Sequence, residues 1–191
     1  MLAGCSTSEY QTARLNYAAL PDEEFPLRAV PLTEIKPELR RQVVAYGGDE
    51  APGTVVVDTP ARRLYHVMEG GRAMRYGIGV GREGLALAGN ATVGRKSEWP
   101  SWTPTGNMIR RDPRNRQYAG GVPGGPTNPL GARALYLYRG GRDTMFRIHG
   151  TNQPESIGLA MSSGCVRMLN HDVIDLYERV PVGSSVKVIQ A

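Results

Sequence analysis

From Thr54 onward the sequence is a succession of short β-branched or alternating runs separated by turn signals, a pattern that points to a sheet and not a helix bundle. "TVVVD" (54–58) and "RRLYHVM" (62–68) flank Thr59-Pro60-Ala61 and read as a hairpin. "GGR" (70–72) turns the chain into a third strand, "AMRYGIGVG" (73–81). A run over 133–139 puts Leu135 and Leu137 on one face. After the turn "GGRD", Met145, Arg147 and His149 alternate with Phe146 and Ile148 along "TMFRIHG" (144–150). "SSVKVIQ" (184–190) reads as a closing strand. One helix is expected before Pro181, with Asn170 as its cap and Val173, Leu176, Tyr177 and Val180 recurring at i, i+3, i+4 and i+7. The 24 glycines and 14 prolines agree with a mainly β, loop-rich fold.

A chain of 191 residues suits one domain with an N-terminal extension. Its 40% hydrophobic and 21% charged residues are ordinary for a globular domain. The net charge of +5 comes from scattered arginines with no basic stripe interleaved with aromatics, which argues for a solvated basic surface and against a nucleic-acid partner. No apolar run is long enough to span a bilayer. Residues 1 to about 33 read as a polar, proline-containing lead-in, and a short helix is expected next. Pro37 suits its first turn, Leu39, Val43 and Tyr46 share a face, and Gly47-Gly48 ends it. Residues 1–50 are thus an extension or tether.

Only two cysteines occur. Cys5 follows "LAG", which looks like the end of a bacterial lipoprotein signal, and a polar "STSEYQT" follows as a tether would. Cys5 is therefore a candidate lipidation site, against the alternative of a chance four-residue match. A disulfide with Cys165 is chemically open to an exported chain, but the polar setting of Cys5 argues against it.

Between Arg95 and Gly131 the periodicity fails, although the stretch carries both tryptophans and six prolines. A loop of that length in one domain is functional or disordered, and Trp99, Trp102 and Tyr118 argue for an ordered flap.

A cysteine nucleophile needs an imidazole to take its proton and donors for the oxyanion. Of the three histidines, His66 sits within a strand and His171 opens the helix, whereas His149 ends a strand and precedes Gly150. A strand-end imidazole beside a small residue can face a pocket, so His149 is the best base by position; a structural histidine is the alternative. Cys165 follows Gly164, whose backbone freedom lets amides there turn toward a developing oxyanion. The bland reading of Cys165 is a small buried apolar residue. Arg167 can pair with a substrate carboxylate or hold a thiolate charged, or can be a salt-bridged structural residue. No paired-cysteine spacing and no carboxylate cluster suggest a metal site.

The segment "IHGTNQPESIGLAMSSGCVRMLNHDVIDLYERVPVGSSVKVI" resembles the catalytic segment of the L,D-transpeptidase family, also called the YkuD domain, and "TVVVDTPARRLYHVMEGGRAMRYGIGVGR", "TVGRKSEWPSWTPT" and "GGPTNPLGARALYLY" extend the likeness in order over residues 53–190. The resemblance implies a mainly β, sandwich-like catalytic domain with a long flap and one or two short helices. It implies Cys165 as nucleophile, His149 as base, and Gly164, Ser163 and Gly150 as oxyanion or orienting groups. The donor it implies is a peptidoglycan stem tetrapeptide, cleaved between its third residue, often meso-diaminopimelate, and D-alanine. The acceptor is an amine of another stem or of an envelope protein, or water in a carboxypeptidase. No metal or organic cofactor is implied. The expected location is the bacterial envelope, on the periplasmic side, with a lipid anchor if Cys5 is modified.

In this family a loop covers the substrate channel, and 95–131 fits that place. Trp99, Trp102 and Arg167 are then substrate-binding candidates; packing of the flap on the sheet is the alternative for the tryptophans. One letter departs from the family phrase: Ser163 stands where the family often has histidine, so the third member of the site is open, with a backbone carbonyl near Gly150 as a substitute. A hydrolase using the same chemistry and a non-catalytic wall-binding module are the competing functions.

Overall fold

The computed structural model describes residues 17–81, 87–161 and 165–190. Eleven strands are present among them, and nine form one sheet in the order β1-β4-β3-β2-β11-β6-β7-β8-β10. They are β1 (Gln42–Ala45), β2 (Val55–Asp58), β3 (Arg63–Met68), β4 (Arg72–Gly77), β5 (Val80–Gly81), β6 (Gly89–Glu98), β7 (Arg133–Arg139), β8 (Arg142–His149), β9 (Ala160–Met161), β10 (Val166–Arg167) and β11 (Ser185–Ile189). β5 and β9 form a separate parallel pair. Two α-helices occur among the described residues, α1 (Gly106–Arg111) in the flap and α2 (Asn170–Arg179).

The β1-β4-β3-β2 wing and the β6-β7-β8 run are antiparallel, β10 is added parallel to β8 at the far edge, and β11 joins the wings, parallel to β2 and antiparallel to β6. β11 alternates as a half-buried strand must, with Val186 and Val188 inward and Ser185, Lys187 and Ile189 outward. In β2 all three valines are buried, as expected of a strand covered on both faces. The main apolar cluster takes Val55, Leu64 and Tyr76 from one wing and Val93, Leu135, Leu137 and Ile148 from the other, together with Val173 and Leu176 of α2. The two wings therefore share one core. Between β7 and β8 a tight turn is made by Gly140 (φ 56°) and Gly141 (φ 75°), both in the left-handed region that a two-residue hairpin loop demands.

Two expectations are corrected. Residues 42–45 pair with the free edge of β4 and do not continue a helix; only Pro37–Leu39 forms a 3-10 turn. Pro37 starts that turn, but the backbone groups of β4 offer the following residues a ladder partner. The chain is also already strand up to Glu98, three residues beyond the point where the alternation fails at Arg95.

From Tyr17 the lead-in is docked onto the domain. Tyr17 is fully buried; its hydroxyl accepts from the Arg41 amide at 2.7 Å and donates to Asp172 at 3.3 Å. Burial pushes the Asp172 carboxyl up to about 7, although Arg41 stands 3.6 Å away. Phe25 meets the Trp99 ring edge-on at 4.9 Å. No helix among the described residues is long and apolar enough to cross a membrane.

Candidate active site

β8 brings His149 to its end, and β10 runs parallel to it with Val166 opposite Ile148 and Arg167 opposite His149. The amide of Met168 donates to the His149 carbonyl at 2.8 Å and locks this register. Ile148 and Val166 are buried in the core. Their neighbours on each strand must point the other way, so His149 and Arg167 share the opposite face. Two residues back, Arg147 and Cys165 share that face as well, and the Arg147 amide hydrogen-bonds the Cys165 thiol. Cys165 and His149 thus stand on adjacent strands, on one face, two residues out of step.

The His149 ring is 4% exposed and its Nδ1 lies 2.6 Å from the Gly150 carbonyl oxygen. A carbonyl only accepts, so Nδ1 carries the proton and Nε2 keeps its lone pair. Burial lowers the imidazole to about 4, helped by the Arg167 and Arg147 charges and opposed by the Gly150 contact. Burial pushes the half-buried Cys165 thiol up, while the Arg147 amide and the Arg147 and Arg167 guanidinium groups hold it down. The resting pair is a neutral thiol and a neutral imidazole, not an ion pair. Arg167 acts on both groups, and its Nη1 lies 3.4 Å from Gln153 Oε1.

The corner after His149 is a close approach of three segments. Asn170 Oδ1 accepts from the amides of Ala132 at 3.0 Å and Thr151 at 3.1 Å. A Cβ at Gly150 would fall on that oxygen, and one at Gly131 would strike it and the Thr151 amide. Glycine is needed at both places because the flap's end packs against the His149 corner. Asn170 therefore clamps flap to site; it is the first residue of α2, whose N-cap position is Leu169 with no side-chain cap bond, contrary to the expected capping role.

The flap is ordered. Thr105 Oγ1 accepts from the Met108 amide at 3.3 Å and caps α1, a 3-10 turn spans Pro113–Tyr118, and Trp102 bridges Val122. Trp102 is half-buried with its ring 6.0 Å from Tyr118. Trp99 is buried: its Nε1 donates to Glu23 at 3.0 Å, and Ala132 and Ile174 pack on it. It packs the flap under the lead-in and presents no face to an open groove. Ser163 and Gly164, and also Cys5, lie outside the described residues. Among the described residues no three His, Cys, Asp or Glu side chains are grouped to hold a metal. The two histidines that position disfavoured are elsewhere: His66 is on β3, and His171 Nε2 meets the Ala18 carbonyl at 3.0 Å.

Sequence reasoning missed Arg147 and Asn170. The signal for Arg147 was present, because it stands two residues before His149 in a strand and so must share its face. Nothing in the sequence marks Asn170 as a clamp, since its partners are 38 and 19 residues away.

Residues 52–188 match the L,D-transpeptidase catalytic domain family, YkuD. The chain is 39% identical over 139 residues to the protein described as probable L,D-transpeptidase ErfK/SrfK of Escherichia coli strain K12, covering 71% of this chain and 43% of that relative. It spans less than half of that relative's length. A crystal structure of a Brucella melitensis protein described as a probable carnitine operon oxidoreductase is 49% identical, with a TM-score of 0.55 over 83% of this chain and 97% of that one. An L,D-transpeptidase from Mycobacterium smegmatis shares the fold at 17% identity, with a TM-score of 0.51 over 72% of this chain and 58% of that one. The chain belongs to the YkuD family of L,D-transpeptidase catalytic domains.

Proposed function

We propose that the protein is a peptidoglycan L,D-transpeptidase in which Cys165 carries the acyl group and His149 moves the protons. The observation that carries this reading is the parallel β8–β10 register, which sets Cys165 and His149 on one face, with His149 Nδ1 tied to the Gly150 carbonyl. Nε2 is then the ring atom left to take a proton.

His149 Nε2 removes the Cys165 proton as the sulfur attacks the carbonyl carbon between the third residue of a stem tetrapeptide and D-alanine. The amides around Ser163, Gly164 and Cys165 receive the oxyanion. The C–N bond breaks, the imidazolium returns its proton to the departing D-alanine amine, and a thioester remains on Cys165. An amine of a second stem or of an envelope protein attacks the thioester, gives a proton to His149, and the thiolate leaves and is reprotonated. The steps use no cofactor. Arg167 stabilises the negative charge that passes through sulfur and oxygen. Because the resting pair is neutral, charge separates only when substrate is in place. The reading places the protein in the bacterial envelope, on the periplasmic side, with Cys5 as a lipid attachment point and Trp102 at the flap's edge of the stem-peptide groove.

Incubation with tetrapeptide-rich muropeptides followed by mass analysis tests it. Cross-linked dimers support transfer, tripeptides alone indicate hydrolysis with water as acceptor, and no product leaves only wall binding. Cys165→Ala is expected to abolish all products without unfolding the chain; retained products in that variant overturn the mechanism. His149→Gln is expected to slow acylation about 10²–10⁴-fold.

A further inference from the structure

Beside Cys165 the sheet carries a row of side chains that the catalytic steps above do not use. Arg95 on β6 pairs with Tyr136 on β7, and Tyr136 pairs with Arg147 on β8. The β8–β10 register continues the row to Cys165. Both guanidinium groups lie over the Tyr136 ring, Arg95 at 3.6 Å and Arg147 at 4.3 Å from its centroid. An arginine stacked on a ring has its rotation restricted and keeps its N–H fork at the edge for a planar anion.

Two irregularities build this row. In β6 the register slips between Val93 and Arg95. Without the slip, Arg95 would follow Ala91 and Val93 onto the core face; with it, Arg95 turns to Tyr136. In β8, Asp143 and Arg147 pair with Tyr138 and Tyr136, so the three residues between them oppose Leu137 alone. Met145 takes up the excess at φ 64° and is 60% exposed. Bulges and left-handed non-glycine residues are costly and recur beside active sites.

The charges in the row do not balance. Asp143 accepts from both Nη atoms of Arg147, at 2.7 and 2.9 Å. Arg95 is exposed over the Tyr136 ring, and its charge acts on Asp143 together with that of Arg147, so two guanidinium groups face one carboxylate. One cation on a preorganised platform is left for an anion from solution. With strands about 4.8 Å apart, the ring lies about 10 Å from the strand of Cys165, comparable to the reach of an extended diaminopimelate side chain.

We propose that Arg95 and Arg147, stacked on Tyr136, form a carboxylate site beside Cys165 that selects donor stems whose third residue ends in a free carboxylate over stems in which that group is amidated. The substrate part of this rests on the transpeptidase reading; the anion site does not. A guanidinium prefers a carboxylate to a carboxamide through charge and a two-pronged fit, and discrimination of about tenfold in kcat/KM is expected.

Two measurements test it. In a Cys5→Ser background, where Cys165 is the only thiol, its alkylation by iodoacetate is compared with that by iodoacetamide. Arg95→Gln is expected to lower the rate ratio about threefold to tenfold, and added salt to flatten the difference. Arg72→Gln, on the other wing of the sheet, is expected to keep the ratio. An unchanged ratio in Arg95→Gln overturns the anion site. Acyl transfer is then measured with free-carboxylate and amidated tetrapeptides. A tenfold preference that Arg95→Gln removes through KM supports the substrate assignment; equal use of both donors by the wild type overturns it. If the alkylation ratio shifts while no tetrapeptide acylates the protein, the anion site stands and the transpeptidase reading falls.

Discussion

Among the described residues two arginine–aspartate pairs are each four residues apart in sequence, Asp175–Arg179 on α2 and Asp143–Arg147 on β8. On a helix four residues complete about one turn, so the first pair meets without distortion. On a strand four residues span about 13 Å, so the second pair meets only because the chain bulges at Met145. The first is a closed network: Asp175 is 4% exposed and accepts from Tyr76 at 2.6 Å as well as from Arg179 at 2.9 and 3.0 Å. The second lies on the face of Cys165 and leaves a neighbouring cation unbalanced. Ordinary geometry serves stability in one place, and strained geometry positions charge beside a nucleophile in the other.

The sharpest contrast is in protonation. The Arg179 and Tyr76 contacts hold Asp175 below its usual value against the cost of burial, so the helix pair is ionised at neutral pH. At the site the thiol lies above its usual 9.0 and the imidazole near 4, so both groups are neutral. Alkylation of Cys165 by iodoacetamide is therefore expected to rise about tenfold per pH unit from pH 6 to 9, with no plateau below pH 9. A plateau near pH 6 would reveal a thiolate–imidazolium pair and break the contrast. Acyl transfer is expected to keep its base form down to pH 5 and to lose it near pH 4. The lowered imidazole has a stability consequence of definite sign: the unfolded chain takes up this proton first as pH falls below 6.5, so stability is lost from there down to about pH 4.

Substitution separates the pairs next. Asp175→Ala leaves the buried Tyr76 hydroxyl and Arg179 without their acceptor, and a loss of about 3 kcal/mol is expected in urea unfolding. Asp143→Ala removes a more exposed pair and is expected to cost below about 1 kcal/mol, while shifting the iodoacetate-to-iodoacetamide ratio at Cys165. Equal stability losses would show that the β8 pair is also a structural one.

The same contrast explains what the sequence shows and what it hides. β2, β7 and β11 keep a period of two or a continuous apolar run, β3 follows a turn signal, and the apolar stripe of α2 stops at Pro181, so all were legible. β6 was not, because the slip after Val93 reverses which residues face inward and makes a long strand look irregular. β10 has two residues, too few for any period, and exists because β8 offers it an edge. At the site, His149 was visible as a strand-end imidazole and its Gly150 contact is local. The Asn170 clamp and the Arg95–Tyr136–Arg147 row were not visible, because they depend on which strands become neighbours and where their registers slip.

The smallest predicted effect is the one most particular to the comparison. Met145 lies within the Asp143–Arg147 span and Glu178 within the Asp175–Arg179 span, and both side chains are exposed. Glu178→Gly puts the most flexible residue into a regular helix and is expected to destabilise by about 1 kcal/mol. Met145→Gly relieves a left-handed backbone that costs a residue with a Cβ about 1 kcal/mol, against a similar cost from the greater entropy glycine gives the unfolded chain. The net change there is expected to lie between zero and about 0.5 kcal/mol of stabilisation, with the alkylation ratio at Cys165 retained because the bulge is kept. One substitution thus takes opposite signs in two spans of equal length. If Met145→Gly destabilises as Glu178→Gly does, the side chain of Met145 and not its backbone holds the bulge, and the strained strand is no longer the device that positions Arg147.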